Sequence, residues 1–186
     1  MLIAALLTMS LITAPADPAC TTQAGSQPVA ARTSKYDSTS MTVGKAMVKV
    51  CYSRPAMRGR KIFGTALVPH DQIWRTGANE PAIIHTTGPI AVAGIRLAAG
   101  SYSLYTVPSE KNKWKVVLNR STSQWGSESD YDTVKAQEVG RAAVTAVRNA
   151  PTSELFTMMS SGGTKSGTLI LTWENTRVSV PIKASK

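Results

Sequence analysis

A period-two alternation of apolar and polar residues constrains the fold of this chain more than any other sequence feature. In one clear example, Lys113 and Lys115 alternate with the apolar residues Trp114, Val116 and Leu118. This period places apolar side chains on one face of a strand and polar side chains on the other. The pattern therefore predicts half-buried β-strands and not amphipathic helices.

Short segments of this kind recur from residue 38 to the end of the chain. Strands are predicted at residues 41–43, 48–52, 82–86, 89–92, 95–97, 101–107, 114–118, 143–147, 155–159, 168–173 and 177–182. A short polar turn, Glu174-Asn175-Thr176, is expected to join the last two, and one short helix is expected near residues 132–139. About ten short strands with frequent turns predict an all-β, single-domain β-sandwich or jelly-roll-like fold with at most one short helix.

Composition limits the classes of function. The chain has 186 residues, 42% of them hydrophobic, which is enough for one packed domain. Its two cysteines exclude a disulfide-dense scaffold, and its two histidines leave little for a metal centre. The formal charge is +10, and residues 38–75 hold seven basic residues against one acidic residue. Acidic partners are therefore expected at one region of the chain and not all over it.

The N-terminus predicts export. Residues 1–12 carry no charged side chain, are too short to span a bilayer, and precede the small-residue sequence Ala14-Pro15-Ala16. We interpret residues 1–19 as a signal peptide, 20–37 as a flexible leader and 38–186 as the folded domain; a buried N-terminal helix is the alternative. The expected location is periplasmic or extracellular. Cys20 leaves two further options, a lipid anchor that would make an outer-membrane lipoprotein and a disulfide with Cys51.

A basic loop follows the predicted strand at 48–52. Its sequence, YSRPAMRGRKIFG, places Arg54, Arg58, Arg60 and Lys61 within eight positions, and its proline and glycines indicate an exposed loop. Arginine pairs bidentately with carboxylate and phosphate groups, so an anionic envelope polymer or a small carboxylate is the expected partner. The alternative is a solvated loop whose arginines bond backbone carbonyls or surface acids.

A second polar segment, IWRTGANE, spans residues 73–80. Trp74 is expected to fill the core, and Gly77 to supply a backbone conformation that other residues avoid. Arg75, Asn79 and Glu80 form a candidate rim of a polar pocket. An internal Arg75–Glu80 ion pair is the favoured alternative.

His85 lies on the next predicted strand. With Glu80 it makes a weak candidate catalytic pair for a hydrolase, whereas a structural hydrogen bond is the more common role for a lone histidine. His70 and His85 with Asp71 or Glu80 could in principle hold a metal, but no HExxH or CxxC spacing supports such a site, so no metal is predicted.

A third segment, LNRSTSQWG, spans residues 118–126. Asn119, Gln124 and Trp125 could present an aromatic platform with amide donors, as sugar-binding surfaces do. A structured turn with Trp125 covering the edge of the core is the favoured alternative.

Other functional motifs are missing from the sequence. It contains no GxSxG elbow, no GxxxxGK[ST] loop and no GxGxxG turn, so no cofactor is predicted. The basic residues do not interleave with aromatic residues as in single-strand nucleic-acid binders, so no nucleic-acid partner is expected either.

Five ordered blocks carry a resemblance to a known family. They are YSRPAMRGRKIFG, LVPHDQIWRTGANE, AGSYSLYTVP, NRSTSQWG and LTWENTRVSVPI, within residues 38–182. They resemble DUF2911, a family of secreted bacterial proteins of unknown function. The resemblance implies export, a bacterial source and a compact β-rich domain, and it implies no activity. His70-Asp71 departs from the tyrosine and glycine that such proteins often have there, which argues against a family-wide metal role for His70.

The sequence as a whole predicts an exported bacterial domain that binds ligands or has a structural role. A hydrolase using Glu80 and His85 and a purely scaffolding domain are the alternatives. The deciding observation is whether Arg75, Asn79, Glu80, His85 and Gln124 meet in one solvent-reachable pocket.

Overall fold

The computed structural model describes residues 17–20, 28–125 and 128–185, and these form one antiparallel β-sheet with short helical segments. The strands are β1 (Lys35–Val43), β2 (Ala46–Arg54), β3 (Ala82–Thr86), β4 (Ile90–Val92), β5 (Ile95–Leu97), β6 (Gly100–Val107), β7 (Lys113–Asn119), β8 (Glu138–Ser161) and β9 (Ser166–Ala184). Helix α1 spans Glu128–Val134, and 3-10 turns span Val29–Ala31 and Lys135–Gln137. The strand order is β1-β2-β3-β6-β7-β8-β9-β4-β5.

The predicted hairpins are present. Gly44 and Lys45 connect β1 to β2, whose ladder closes with the pair Val43 and Ala46. Ala93 and Gly94 connect β4 to β5, and both have positive φ, 48° and 89°. Positive φ at both central residues matches the right-handed twist of a two-residue hairpin.

The sequence prediction is wrong about the last four strands, which are two long ones. Segments 143–147 and 155–159 both belong to β8, and the predicted turn at 174–176 lies inside β9. The β8–β9 register shifts twice between Arg148 and Thr157, and Asn149 and Glu174 have positive φ. Such bulges bend a strand pair without ending it, which is why polar residues with turn character stand inside continuous strands.

The long β8–β9 pair brings the sheet back onto its own first strand. The hydroxyls of Thr39 on β1 and Ser160 on β8 lie 2.7 Å apart, and the hydroxyl of Tyr52 on β2 accepts a hydrogen bond from the amide of Met158 at 2.8 Å. All nine strands contribute side chains to one buried core. The all-β prediction is therefore confirmed, and the two layers facing the core are parts of one continuous sheet.

Aromatic side chains fill one end of this core. Trp74 is buried as predicted, and it stacks on Trp173 with 5.8 Å between ring centroids and 17° between ring planes. Phe63 packs edge-on against both rings and against Trp114. This cluster holds the 63–79 segment against the sheet.

The outer face of β6 and β7 is also covered. The helix predicted near residues 132–139 is α1, which begins four residues earlier, at Glu128. The end of the predicted range belongs to β8, which begins at Glu138. Tyr131 of α1 packs with Tyr105 and Val117 in a second, smaller apolar cluster. The outer face is therefore buried around Tyr105 and Val117, whereas Lys113 and Lys115 of β7 stay exposed.

The N-terminal part is attached to the outer face of β2. Cys20 forms a disulfide with Cys51, with 5.8 Å between their Cα atoms, and Asp17 forms an ion pair with Lys49 at 2.6 Å. Strand β1 begins at Lys35, three residues before residue 38, the predicted start of the folded domain. Arg32, which falls in the predicted leader, is buried. Residues 1–16 of the predicted signal peptide lie outside the described residues.

Within the described ranges, no helix has both the length and the apolar character needed to cross a bilayer.

Candidate functional site

A cleft of 780 Å³ lies between the 66–79 segment and the loop that follows β2. Its polar lining residues are Arg60, Gln72, Arg75, Asn79 and Ser129. The remaining lining residues are Pro55, Ala66, Leu67, Val68, Pro69, Ile73, Trp74, Gly77, Ala78 and Trp173. No carboxylate belongs to the part of the lining that the structure describes.

Arg75 is held rigidly at one side of this cleft. The backbone of its neighbour Trp74 exchanges two hydrogen bonds with Thr106 of β6, at 2.8 and 3.0 Å. The half-buried guanidinium donates from Nη1 to the carbonyl of Asn79 at 2.7 Å. Burial lowers the pKa of Arg75, and the nearby carboxylate of Asp130 opposes that shift. A fixed, partly dehydrated cation of this kind favours an anionic ligand.

The turn that carries Asn79 is attached to β2. Gly77 has a φ of 155°, and a Cβ at this position would lie 3.0 Å from the carbonyl oxygen of Ser53. Asn79 donates from Nδ2 to the Ser53 hydroxyl at 3.2 Å. The expectation that Gly77 supplies a special backbone conformation agrees with this geometry, because a larger residue would push the turn away from β2.

One wall of the cleft is apolar. The stacked pair Trp74 and Trp173 lies at its base, and Leu67 leaves 48% of its surface exposed at its edge. An exposed leucine beside buried aromatic rings offers contact area to an apolar group. The cleft therefore combines a cationic side with an apolar side.

The basic loop is braced by two glutamates. Glu174 accepts hydrogen bonds from the amides of Ile62 and Phe63, at 3.3 and 3.1 Å, and Glu154 accepts one from the amide of Arg58 at 2.8 Å. The positive φ of Glu174 belongs to the bulge in β9, so the bulge delivers this carboxylate to the loop. The loop is thereby fixed in place by the long hairpin.

The arginines of this loop differ in their surroundings. Arg54 is engaged by Asp37 at 3.0 Å, by Thr157 and by the carbonyl of Phe156, so it holds β1, β2 and β8 together outside the cleft. Arg60 lines the cleft, and its guanidinium donates to the carbonyls of Met57 and Ala56. Arg58 is exposed away from the cleft lining. The structure thus brings Arg60 to Arg75 and leaves Arg54 and Arg58 apart.

Glu80 pairs with a residue that the sequence analysis did not consider. Nη1 of Arg32 lies 2.6 and 2.7 Å from the two carboxylate oxygens of Glu80, and both side chains are 1% exposed. The favoured Arg75–Glu80 pair is therefore wrong. Burial and the Glu80 charge raise the pKa of Tyr36 to about 12, and its hydroxyl, beside this pair, is buried without a hydrogen-bond partner among the described residues.

His85 has a different set of neighbours. Its Nδ1 lies 2.7 Å from the hydroxyl of Ser101, and Nε2 is buried with no partner in the described part of the chain. Burial, and secondly the charge of Lys49, lower the pKa of His85, which keeps the imidazole neutral at neutral pH. Glu80 and His85 thus bond to different partners, and neither lines the cleft.

The 119–125 segment is largely internal. Asn119 is fully buried and bonds the carbonyl of Val134 and the amide of Ser121. Gln124 is buried against Tyr105 at 2.5 Å and against Ser121. Trp125 is 38% exposed, with the guanidinium of Arg32 5.7 Å from its ring centroid. The side-chain amides of Asn119 and Gln124 are both bonded inside the protein, which leaves only Trp125 of the candidate sugar platform at the surface.

No group of three or more histidine, cysteine, aspartate or glutamate residues that could hold a metal ion occurs among the described residues. Of the five residues whose convergence was the deciding question, Arg75 and Asn79 line the cleft. Glu80, His85 and Gln124 do not.

Sequence reasoning missed Trp173, Leu67 and Ser129 as lining residues and Arg32 as the partner of Glu80. Trp173 stands in a recognisable strand, where its alternation with Leu171 marks it as inward-facing but not as part of a cleft. Arg32 stands in a stretch without periodicity, so the sequence around it carries no indication of its partner.

Comparison with protein-family models matches residues 34–182 to one described as a protein of unknown function, DUF2911. Neither the curated proteins nor the solved structures provided a significant match.

Proposed function

Because the chain belongs to the DUF2911 family, whose description assigns no activity, we propose from its geometry that it is an exported module that binds a small carboxylate. The ligand's anionic group lies against Arg75 and its apolar body against Leu67 and Trp74. The observation that carries the proposal is a half-buried arginine in a cleft whose described lining contains no carboxylate.

The electrostatics favour an anion at this position. An arginine guanidinium has five N–H donors, and the Asn79 carbonyl takes one from Arg75. The remaining donors suit the two oxygens of a carboxylate, since Arg–carboxylate pairs are often bidentate. Arg60 adds a second positive charge to the same lining.

The size and the wall of the cleft favour a small molecule. Its volume of 780 Å³ lies within the range of about 300–1,000 Å³ typical of small-molecule sites. Leu67 and the Trp74–Trp173 pair give it an apolar side, so the proposed ligand carries an aromatic or aliphatic body of several carbons. A fully hydrated polyanion would leave this side unused.

One feature of the N-terminal part, its disulfide, supports export. A disulfide such as Cys20–Cys51 persists in oxidising compartments. The ion pair between Asp17 and Lys49 is kept when a signal peptide is cut after Ala16, and it is lost when the cut follows Ala19. The sulfur of Cys20 that a lipid anchor would need is engaged with Cys51.

Calorimetric titration with benzoate, phenylacetate and hexanoate tests the binding proposal. Benzamide serves as the neutral analogue. We expect at least one carboxylate to bind, benzamide not to bind, and Arg75→Gln to weaken binding about tenfold or more, the effect of losing a charge-assisted hydrogen bond. Arg58→Gln is the matched control, because Arg58 is exposed outside the lining. Equal affinities for the wild type and Arg75→Gln would contradict the proposal.

Cell fractionation tests the export proposal separately. Mass spectrometry of the exported protein is expected to give Asp17 as the first residue and no free thiol. Retention of residues 1–16 in an intracellular protein, or a lipid on Cys20, would contradict it.

A further inference from the structure

The proposed carboxylate cleft uses only part of the basic residues, and a second group of them lies on a different side of the molecule. These are outward-facing cations of the four strands β5, β7, β8 and β9, which we call the basic face: Arg96, Lys113, Lys115, Arg141, Arg177 and Lys183. All six are exposed, and none lines the cleft. The basic loop identified in the sequence contributes none of them.

The strand register places these side chains on one surface. Lys113 of β7 stands opposite Thr145 of β8, which stands opposite Ser179 of β9. Arg177 of β9 is paired with Val147 of β8. Residues directly opposite each other share a face, and the alternate residues of these strands point into the core.

Strand pairing also places the cations at the far edge of the basic face on the same surface. Lys183 of β9 stands opposite Ala91 of β4, which stands opposite Arg96 of β5. At about 3.4 Å per residue and 4.8 Å per strand, the face measures about 20 Å in each direction. At 0.01 M salt, where the Debye length is about 30 Å, its cations therefore lie within about one Debye length of one another.

Little negative charge offsets this group. Among the described residues, the only ion pair made by any of the six is that of Arg141 with Glu138 at 2.5 Å. Between the cations the exposed side chains are small or aliphatic, such as Ala143, Thr145 and Val147. Five cations without an acidic partner on one sheet surface create a positive potential that attracts a multiply charged anion.

We propose that the basic face binds a linear polyanion, a polymer with closely spaced phosphate or carboxylate groups. Separate cations spread over about 20 Å match a chain of repeated charges better than a single small anion. An anionic membrane fits less well, because large aromatic or leucine side chains that would enter a bilayer are missing from the described surface between the cations. Base stacking on nucleic acid requires aromatic side chains that are missing there too.

Binding of fluorescently labelled long-chain polyphosphate and of polygalacturonate, each at several salt concentrations, tests this proposal and distinguishes phosphate from carboxylate polymers. With five contacts and a slope near 0.7 per contact, log K is expected to fall with log salt with a slope of about −3 to −4. The triple variant Lys113→Gln/Lys115→Gln/Arg177→Gln is expected to reduce that slope by about 2 and to weaken binding about 100-fold at 0.1 M salt.

The matched control is Lys35→Gln/Arg58→Gln/Lys61→Gln, which removes the same charge from exposed positions on β1 and in the basic loop, outside the basic face. We expect it to retain most of the affinity and the salt slope. Circular dichroism of both variants monitors folding. Three outcomes overturn the proposal: no binding of either polymer, equal losses in the two variants, or binding to phosphatidylglycerol vesicles that neither polymer displaces. Because Arg75 is unchanged in every variant, carboxylate binding in the cleft is measured independently.

Discussion

The buried Arg32–Glu80 pair allows the strongest quantitative prediction. Both side chains are 1% exposed, and Nη1 of Arg32 contacts both carboxylate oxygens within 2.7 Å. Glu80→Gln keeps the shape of the side chain and removes its charge, so it leaves a buried cation facing a neutral amide. Removing one partner of a buried pair costs about 3–5 kcal/mol of folding free energy. We expect a loss in that range.

Urea unfolding followed by tryptophan fluorescence measures this loss. At about 1–3 kcal/mol per M of urea, the unfolding midpoint is expected to fall by about 1–5 M. The double variant Arg32→Met/Glu80→Leu is expected to recover most of the loss, because it removes both charges from the same buried place.

An exposed pair provides the control. Lys135 and Asp132 lie 3.3 Å apart with side chains 65% and 72% exposed, so Asp132→Asn is expected to change stability by less than about 0.5 kcal/mol. A Glu80→Gln loss as small as that of the control would refute the reasoning, since it would mean that Glu80 does not balance Arg32 in the folded protein.

Three further predictions rest on other contacts. His85 is kept neutral by burial and by Lys49, so its pKa in the folded state lies below its ordinary value and the unfolded chain binds the proton first. Stability is therefore expected to fall as the pH drops below about 6.5, and urea unfolding at pH 7.5 and 5.5 is expected to show a smaller fall for His85→Gln. Reduction of Cys20–Cys51, which closes a loop of 31 residues, is expected to cost about 4 kcal/mol in the loop-entropy treatment, and a thermal melt with and without dithiothreitol that shows no change would contradict it. Gly77→Ala places a Cβ 3.0 Å from the Ser53 carbonyl at a φ of 155°, so it is expected to destabilise the protein by more than about 1 kcal/mol, whereas Gly94→Ala, with open space around the new Cβ, is expected to cost less in the same unfolding assay.

The local pattern of the sequence predicts most of the strands. Residues 82–86 and 95–97 form strands with the predicted bounds, because alternation and short flanking turns are local properties. The same pattern misplaces the ends of β8 and β9. Residues such as Asn149 and Glu174 favour turns in isolation, but here they form bulges, which exist only because a neighbouring strand is paired with them.

The candidate site is less predictable for a related reason. Arg75 and Asn79 are adjacent in sequence and fall in the cleft together, as expected for one turn. The partner of Glu80 is 48 residues away in a segment with no periodicity, so its identity depends on the tertiary fold. Charges on the basic face are scattered over β5, β7, β8 and β9, and only the strand register collects them.

The closure of the sheet by its last long hairpin also sets an order of events during synthesis. Thr39 on β1 bonds Ser160 on β8, which is 121 residues later in the chain. At a synthesis rate of about 5–20 residues per second, Ser160 is added about 6–24 s after Thr39. Until then the inward side of the first hairpin has no opposing strands, and its apolar side chains need protection from other nascent chains. The protein is therefore expected to complete its fold only after β9 has been synthesised. A chain truncated before Ser160 is expected to aggregate, because its first hairpin stays uncovered.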